Sequence, residues 1–312
     1  MKPRDSLFLL LLAALWGGSF LFIRLASPVI GPVVLMDARV LIAGLALLVY
    51  AALLARMPDL WRRWRAYLLL GGLNAAAPFT LIAFAELHLP ASLAAILNAT
   101  TPLFGAVVAF FWLHDRMTAK KIVGILIGVI GVVVLVGWSP FPLTPLVLLS
   151  VGASLLAACF YGIGGVYSKV AFQKEPPLAL AMGQQLGAGV VLLPFAVASL
   201  PASFPSVPIV LAILALALFS TSLGYLIYFR LMTTVGPTST LSVTFLVPVF
   251  GLLWGAIFLK EPLTIGWLIG LGIVLVGMGF VTNLRIPLPW HAHRARPVQR
   301  VDEASSPQVA DR

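Results

Sequence analysis

The sequence predicts an all-α polytopic membrane protein with ten transmembrane helices, arranged as two inverted repeats of five helices. Three observations lead to this prediction: the composition, a series of long apolar segments and an internal repeat. Apolar residues make up 61% of the 312 positions and charged residues only 10%, whereas a soluble domain carries roughly 25% charged residues. The mean hydropathy is +1.07. Water therefore cannot be the solvent for most of the protein surface.

Ten apolar segments are long enough to cross a membrane. A hydrocarbon core about 30 Å thick needs roughly 20 apolar residues per helix. Pro, Gly or charged residues separate the segments, as is typical of helix ends. The segments are continuous rather than alternating, which favours helices over a β-barrel. The predicted spans are 6–26, 33–55, 66–87, 91–113, 120–137, 145–169, 178–200, 208–230, 238–259 and 264–283.

The placement of Lys and Arg predicts the orientation of these helices. With the N-terminus in the cytoplasm, the inner loops and inner helix ends collect nearly all of the 20 basic residues. Lys260 then lies outside, and Arg24 and Arg39 fall within spans. Because cytoplasmic loops carry an excess of Lys and Arg, both termini are predicted to be cytoplasmic. The net charge of +10 has the same origin, so we expect no nucleic-acid partner.

The fourth and fifth spans recur as the ninth and tenth, since residues 91–137 match residues 237–283. An internal repeat of this kind divides the chain into a first repeat at 1–140, a second repeat at 141–283 and a polar, basic tail at 284–312 that we expect to be disordered. Asp115 of the first repeat corresponds to Glu261 of the second. The identical pairs are Pro102 and Pro248, Phe104 and Phe250, Gly105 and Gly251, Leu113 and Leu259, Thr118 and Thr264, Gly124 and Gly270, Ile127 and Ile273, and Gly131 and Gly277.

Each repeat contains an odd number of spans, so the second must insert into the membrane upside down. The charges agree with this, because the turn at Arg116 is strongly basic and its counterpart at Glu261 is not. Inverted repeats around a site near the membrane midplane are typical of secondary transporters, in which the two halves exchange conformations and open the site to each side in turn. The repeat therefore favours a transport function.

The motifs that carry the repeat resemble those of a known family. Pro102-Leu-Phe-Gly and Leu113-His-Asp-Arg-Met-Thr in the first half, with Phe258-Leu-Lys-Glu-Pro-Leu-Thr in the second, are similar to the drug/metabolite transporter superfamily, in its EamA-like branch. Trp16-Gly and Arg24-Leu-Ala fit the same pattern. The resemblance implies a ten-helix bundle in which helices 1–4 and 6–9 surround a central cavity and helices 5 and 10 are peripheral. Among the branches, the amino-acid and metabolite exporters are the most similar.

Polar and aromatic residues within the spans are the candidates for substrate binding. Aromatic rings offer rigid platforms for apolar or aromatic ligands, and glycines let a ligand approach the backbone. The same residues could instead serve helix packing. The candidates are Trp16, Ser19, Phe20, Asn74, Phe79, Asn98, Thr101, Tyr161, Gly165, Tyr225 and Thr244.

Ionisable groups within a span are costly and call for a partner or a role. Arg24, Asp37, Arg39 and Glu86 all lie toward the outer half of the first three helices. They could pair as ions that brace the outer vestibule, or gate it, or meet a zwitterionic substrate, and Asp37 or Glu86 could carry a coupling proton. The candidates for gating or coupling are Arg24, Asp37, Arg39, Glu86, Lys169, Gln184, Pro102 and Pro248.

Other functional classes lack their sequence signals. Cys159 is the single cysteine, and the apolar region contains no His or Cys cluster, so we expect neither a disulfide nor a metal site. No Walker A, HExxH or GxSxG motif is present, so we expect no enzyme activity and no cofactor. A membrane enzyme or a non-transporting scaffold is the alternative from another class.

The sequence thus predicts a transporter that exports amino acids, with apolar or aromatic ones included, or similar small metabolites, by alternating access. The alternatives within the superfamily are sugar-phosphate, nucleotide-sugar and drug transport. Its partners would be a small-molecule substrate and the lipid bilayer, with the protein a monomer or a homodimer. The short loops favour a bacterial inner membrane.

Overall fold

The structure is a computed structural model, which describes residues 2–55, 57–140 and 142–282. Within these ranges ten helices are long and apolar enough to cross a membrane, as predicted. The predicted tail at 284–312 lies outside the described residues. The helices are α1 (Pro3–Ile30), α2 (Pro32–Leu53), α3 (Trp61–Ala85), α4 (Ala91–Leu113), α5 (Ala119–Gly137), α6 (Pro145–Ala171), α7 (Pro177–Ala198), α8 (Val207–Thr234), α9 (Ser239–Phe258) and α10 (Ile265–Thr282).

Short connections make each helix run back along the one before it. Gly31 alone separates α1 from α2, with a φ of +83° that a residue with a side chain rarely adopts. Thr118 and Thr144 cap α5 and α6, because each hydroxyl accepts a hydrogen bond from a backbone N–H three residues later. The bundle therefore has two ends. We call the end at which α1 begins the near end, and the end at which α1 finishes the far end.

The helix contacts show the internal symmetry of the two repeats. Helix α1 packs on α9, and its counterpart α6 packs on α4. Helix α3 packs on α7, and its counterpart α8 packs on α2. Helix α2 also packs on α7, and α5 packs on α10; in each of these two pairs one helix is the counterpart of the other. These main contacts are thus reproduced when the two repeats are exchanged. This is the arrangement expected of two inverted five-helix units.

Glycines allow the two equivalent crossings near the centre of the bundle. A Cβ placed on Gly17 of α1 would lie 2.6 Å from Cβ of Phe250 and 2.8 Å from the backbone nitrogen of Gly251 on α9. A Cβ placed on Gly162 of α6 would lie 2.9 Å from the backbone nitrogen of Gly105 on α4. Both distances are too short for a side chain, so the close approach depends on glycine at these positions.

Helices α3 and α8 are irregular at equivalent places. A π-helical turn interrupts α3 at Gly72–Ala76, and a longer one interrupts α8 at Ala215–Leu223. In α8 the hydroxyls of Thr221 and Ser222 donate to carbonyls five residues earlier, at 2.9 and 3.0 Å. Turns of this type are rare in proteins as a whole, and many of those that occur lie at functional sites. Here they lie at the depth of the cavity described below.

Helices α5 and α10 lie outside this central arrangement and pack against each other. A Cβ placed on Gly124 would lie 2.7 Å from the carbonyl oxygen of Gly277, and one placed on Gly277 would lie 2.6 Å from the carbonyl oxygen of Gly124. The glycine spacing of these helices therefore supports contact within one chain. Their peripheral position agrees with the family resemblance.

Candidate substrate cavity

A cavity of about 490 Å³ lies between the two repeats. Helices α1–α4 and α6–α9 all contribute to its lining, and α5 and α10 do not. On α6–α9 the lining residues lie at the middle or in the half of each helix nearer the near end, and on α1–α4 they lie at the middle or in the half nearer the far end. The volume is within the range of small-molecule sites. The lining residues are Trp16, Ser19, Phe20, Ile23, Arg39, Asn74, Phe79, Ile82, Asn98, Ala99, Thr101, Pro102, Tyr161, Gly165, Ser168, Leu180, Ala181, Gln184, Ser220, Tyr225, Tyr228, Phe229, Leu241, Thr244 and Val247.

The structure brings the predicted substrate-binding residues to this one cavity. All of them contribute to the lining, although their part in binding stays a prediction. The lining members of this set are Trp16, Ser19, Phe20, Asn74, Phe79, Asn98, Thr101, Tyr161, Gly165, Tyr225 and Thr244.

The predicted gating or coupling residues divide into two groups. Arg39, Gln184 and Pro102 line the cavity. Pro102 lies in the first turn of the helical segment that follows a break at Ala99–Thr100, where its missing N–H costs nothing. The residues of this set that lie outside the lining are Arg24, Asp37, Glu86, Lys169 and Pro248.

Aromatic rings cover much of the cavity wall. Trp16 contacts Tyr225 at a ring-centroid distance of 6.2 Å and Tyr228 at 5.5 Å. Across the lining, Phe79 contacts Tyr161 at 6.1 Å. Neither Tyr228 nor Phe229 was predicted for the site. Their spacing of three and four residues from Tyr225 places them on the same helix face, a signal that could have identified them.

A chain of side-chain hydrogen bonds crosses one wall of the cavity. The amide of Asn74 on α3 donates to Oε1 of Gln184 on α7 at 2.8 Å. The amide of Gln184 in turn donates to the hydroxyl of Tyr225 on α8 at 2.8 Å. The network joins one helix of the first repeat to two of the second. It fixes the orientation of three polar groups that line the cavity.

Arg39 places a positive charge in the cavity wall. Its side chain is 6% exposed, and its guanidinium carbon lies 3.8 Å from the ring centroid of Phe79, a cation–π contact. Nε donates to Oγ1 of Thr221 at 2.9 Å, and Nη1 lies 3.9 Å from the sulfur of Met36. Two neutral neighbours and an aromatic ring thus hold this cation in place.

Polar contacts close the far end of the bundle. The carboxylate of Glu261, in the turn between α9 and α10, accepts hydrogen bonds from the backbone N–H groups of Ala91 and Ser92 at 2.8 and 2.9 Å, and from the hydroxyl of Ser92. This joins the second repeat to the first turn of α4, where a negative charge is favourable. Close by, Arg24 donates to the backbone carbonyl of Glu86, and Ser27 donates to that of Ala83 at 2.9 Å.

Glu86 is buried among these groups, just beyond the end of α3. Its side chain is fully buried, and neither carboxyl oxygen has a hydrogen-bond partner among the described residues. Burial raises the pKa of Glu86 well above its ordinary value, and the negative charge of Glu261 raises it further, against the opposing charges of Arg24 and Arg39. The protonated, neutral form of Glu86 is therefore the one that suits the closed far end.

The ion pairs considered for the outer vestibule do not form in this structure. Across the described ranges, the acidic and basic side chains of Arg24, Asp37, Arg39 and Glu86 make no salt bridge with one another; the one salt bridge joins Arg63 to Glu175 at the near end, at 3.3 Å. The guanidinium of Arg24 contacts a backbone carbonyl instead. Side-chain direction around each helix, which a sequence does not specify, decides this outcome.

The fold and the cavity define a class of protein: a multi-pass membrane protein in which two repeats enclose a site between them, as in secondary transporters. A family comparison agrees with this class. The EamA-like transporter family matches the chain twice, at residues 5–137 and 148–283. The chain belongs to the EamA-like transporter family.

Individual proteins support the same assignment. The uncharacterized transporter YvbV of Bacillus subtilis is 28% identical over 286 residues, which are 90% of this chain and 92% of that protein. A probable amino-acid metabolite efflux pump of Salmonella typhimurium is 26% identical over 301 residues, 89% of this chain and 94% of that protein. A solved structure of 18% identity has a TM-score of 0.63 over 91% of this chain and 98% of its own, which shows a shared fold. The predicted family, the fold class and the expectation of a transporter rather than an enzyme are confirmed.

Proposed function

We propose that the protein exports amino acids, in particular apolar or aromatic ones, or similar small metabolites, by alternating access. The observation that carries this proposal is the cavity of about 490 Å³ between the repeats, with aromatic walls and a few fixed polar groups. A relative described as a probable amino-acid metabolite efflux pump supports the same substrate class. Alternating access would follow from relative motion of the repeats at 1–140 and 141–283.

The proposed setting is a bacterial inner membrane with both termini in the cytoplasm. The near end would then face the cytoplasm, and the closed contacts at Glu261 would face the outside. Both repeats of one chain contribute to the cavity lining, and the proposal holds for a monomer or a homodimer. A sugar phosphate is disfavoured because phosphate is usually held by several cations, and Arg39 is the single Lys or Arg among the lining residues of the described chain.

A flux assay tests the proposal. Liposomes that contain the purified protein are loaded with labelled L-phenylalanine or L-leucine, and efflux of the amino acid is followed with and without a pH gradient. We expect efflux well above that of protein-free liposomes. Folded protein that moves neither amino acid in either direction would contradict the proposal.

Glycines on α6 provide matched variants for this assay. Gly165 lines the cavity, and a Cβ placed there meets nothing within 4 Å. Gly165→Phe should therefore fill substrate space without disturbing the fold, and we expect efflux to fall at least about tenfold. Gly152 on the same helix is equally unhindered but lies outside the lining, so Gly152→Phe should retain wild-type efflux. Equal rates for the two variants would argue against transport through this cavity.

A further inference from the structure

The cavity lining carries a single ionised group. Its polar members are hydroxyls, amides and phenols, and among the described residues that line it Arg39 alone is charged near neutral pH. No Asp or Glu contributes to the same wall. A substrate therefore meets one fixed positive charge and no fixed negative charge. This favours anionic or zwitterionic molecules over cationic ones.

Protein groups leave part of the Arg39 guanidinium unused. Nε and Nη1 have Thr221 and Met36 as partners, whereas Nη2 donates to no acceptor within the described part of the chain. No carboxylate there lies within salt-bridge distance of it. A cation that is 6% exposed without a counter-ion carries a large desolvation cost. An anionic ligand group would offset that cost.

Glu86 is the acidic residue whose charge acts on Arg39. It lies outside the cavity lining and forms no salt bridge with Arg39 in the described ranges. Its full burial also favours the neutral acid. Glu86 is therefore a poor counter-ion, and the charge of Arg39 stays available to the cavity.

Two further lining atoms are short of partners. Oδ1 of Asn98 and Oγ of Ser220 are buried and have no hydrogen-bond partner among the described residues. Ser220 precedes Thr221, the residue that holds Nε of Arg39. A hydroxyl can donate to an oxyanion, and an amide oxygen can accept from an ammonium group. The residues of the lining thus include groups whose chemistry matches both charged ends of an amino acid.

We propose that Arg39 is the carboxylate-binding residue of the substrate site, and that the protein selects substrates with one carboxylate. A single guanidinium matches a single carboxylate through paired, charge-assisted hydrogen bonds. The aromatic wall then accommodates the apolar remainder of the substrate. This inference rests on the proposed transport function and names the chemical group by which that function recognises its substrate.

Calorimetric titration of the protein in lipid nanodiscs tests the inference with three probes. These are 3-phenylpropionate, its neutral amide 3-phenylpropionamide, and L-phenylalanine. A charge-assisted hydrogen bond to Arg is worth about tenfold or more in affinity, so we expect the wild-type protein to bind the acid at least about tenfold more tightly than the amide. Equal affinities, or no binding of either carboxylate, would overturn the inference.

Variants then assign the preference to Arg39. Arg39→Gln should abolish the preference for acid over amide, and Arg39→Lys should keep part of it, because the charge remains while the planar fork is lost. Lys174→Gln removes an exposed cation outside the lining and should keep the full preference. A tenfold preference that persists in a folded Arg39→Gln protein would refute the assignment. If that variant does not fold, the acid and amide affinities of wild-type and Arg39→Lys decide.

The same titrations separate this inference from the proposed function. Binding of 3-phenylpropionate over its amide without binding of L-phenylalanine would support the role of Arg39 and reject amino acids as substrates. Binding of L-phenylalanine without any preference for acid over amide would support amino acids as substrates and reject the role of Arg39.

Discussion

The turn between α4 and α5 and the equivalent turn between α9 and α10 have the same backbone conformation, but their side chains make different contacts. His114 and Lys260 both adopt the left-handed conformation, with φ of 56° and 55°. In each turn the next residue donates its N–H to a carbonyl six positions earlier, at 3.3 Å for Asp115 and 3.1 Å for Glu261. Yet Glu261 is bound to the first turn of α4, whereas the side chain of Asp115 is exposed and forms no hydrogen bond among the described residues.

The difference shows that one turn is engaged and the other is free at the same time. The engaged turn lies at the far end, and the free turn lies at the near end. In the proposed alternating-access mechanism the two ends are not open at the same moment, so a state that is open at one end is closed at the other. The unequal use of two copied turns is therefore what we expect of a carrier held in one of its states.

The largest effect should come from removing the engaged carboxylate. Glu261→Ala deletes three hydrogen bonds to a charged acceptor, and we expect the far-end contact to lose about 2–3 kcal/mol. A cysteine placed at Ile30, which is 5% exposed at that end, should then react with maleimide more than tenfold faster. The matched change Asp115→Ala should alter neither the labelling rate nor the thermal midpoint by much, because its side chain is exposed. Equal effects of the two changes would break the comparison.

A smaller effect on the closure of the far end should come from pH, through the protonation of Glu86. The pKa of Glu86 is raised when the far end is closed. At pH values between the ordinary and the raised pKa, the closed form therefore binds more protons than a form whose far end is open and hydrated. The closed form is thus fully stabilised at low pH and loses stability as pH rises through that window. Labelling at position 30, divided by the rate of a free thiol at the same pH to remove the effect of thiol ionisation, should accelerate by up to about tenfold per pH unit within that window. Glu86→Gln should make this relative rate independent of pH, and a relative rate that falls with rising pH would contradict this prediction.

The smallest effects should be equal in the two turns. Lys260→Gly and His114→Gly each relieve a left-handed residue, and each should stabilise the protein by up to about 1 kcal/mol. Thermal unfolding in one detergent measures both changes under the same conditions. A gain in one turn with a loss in the other would show that their backbones are under different strain.

Much of the site could be predicted from residue type and helical spacing. Trp16 and Tyr161 stood out because bulky rings recur there with small or polar neighbours, and both line the cavity. Tyr228 and Phe229 were missed because an aromatic residue in a lipid-embedded helix is equally consistent with packing. That Arg24 needs a partner could be predicted, but that the partner is a backbone carbonyl could not. Hydropathy gives the depth of a residue in the membrane and not the direction of its side chain.

By itself the sequence determined the number of helices, their breaks and the twofold repetition of the chain, because long apolar segments must span a bilayer and the same residues recur at the same positions in both halves. Tertiary structure alone decided which of two equivalent turns is engaged and which charges stay unpaired. A repeat specifies both copies equally, so only the packing of one half against the other can make them differ.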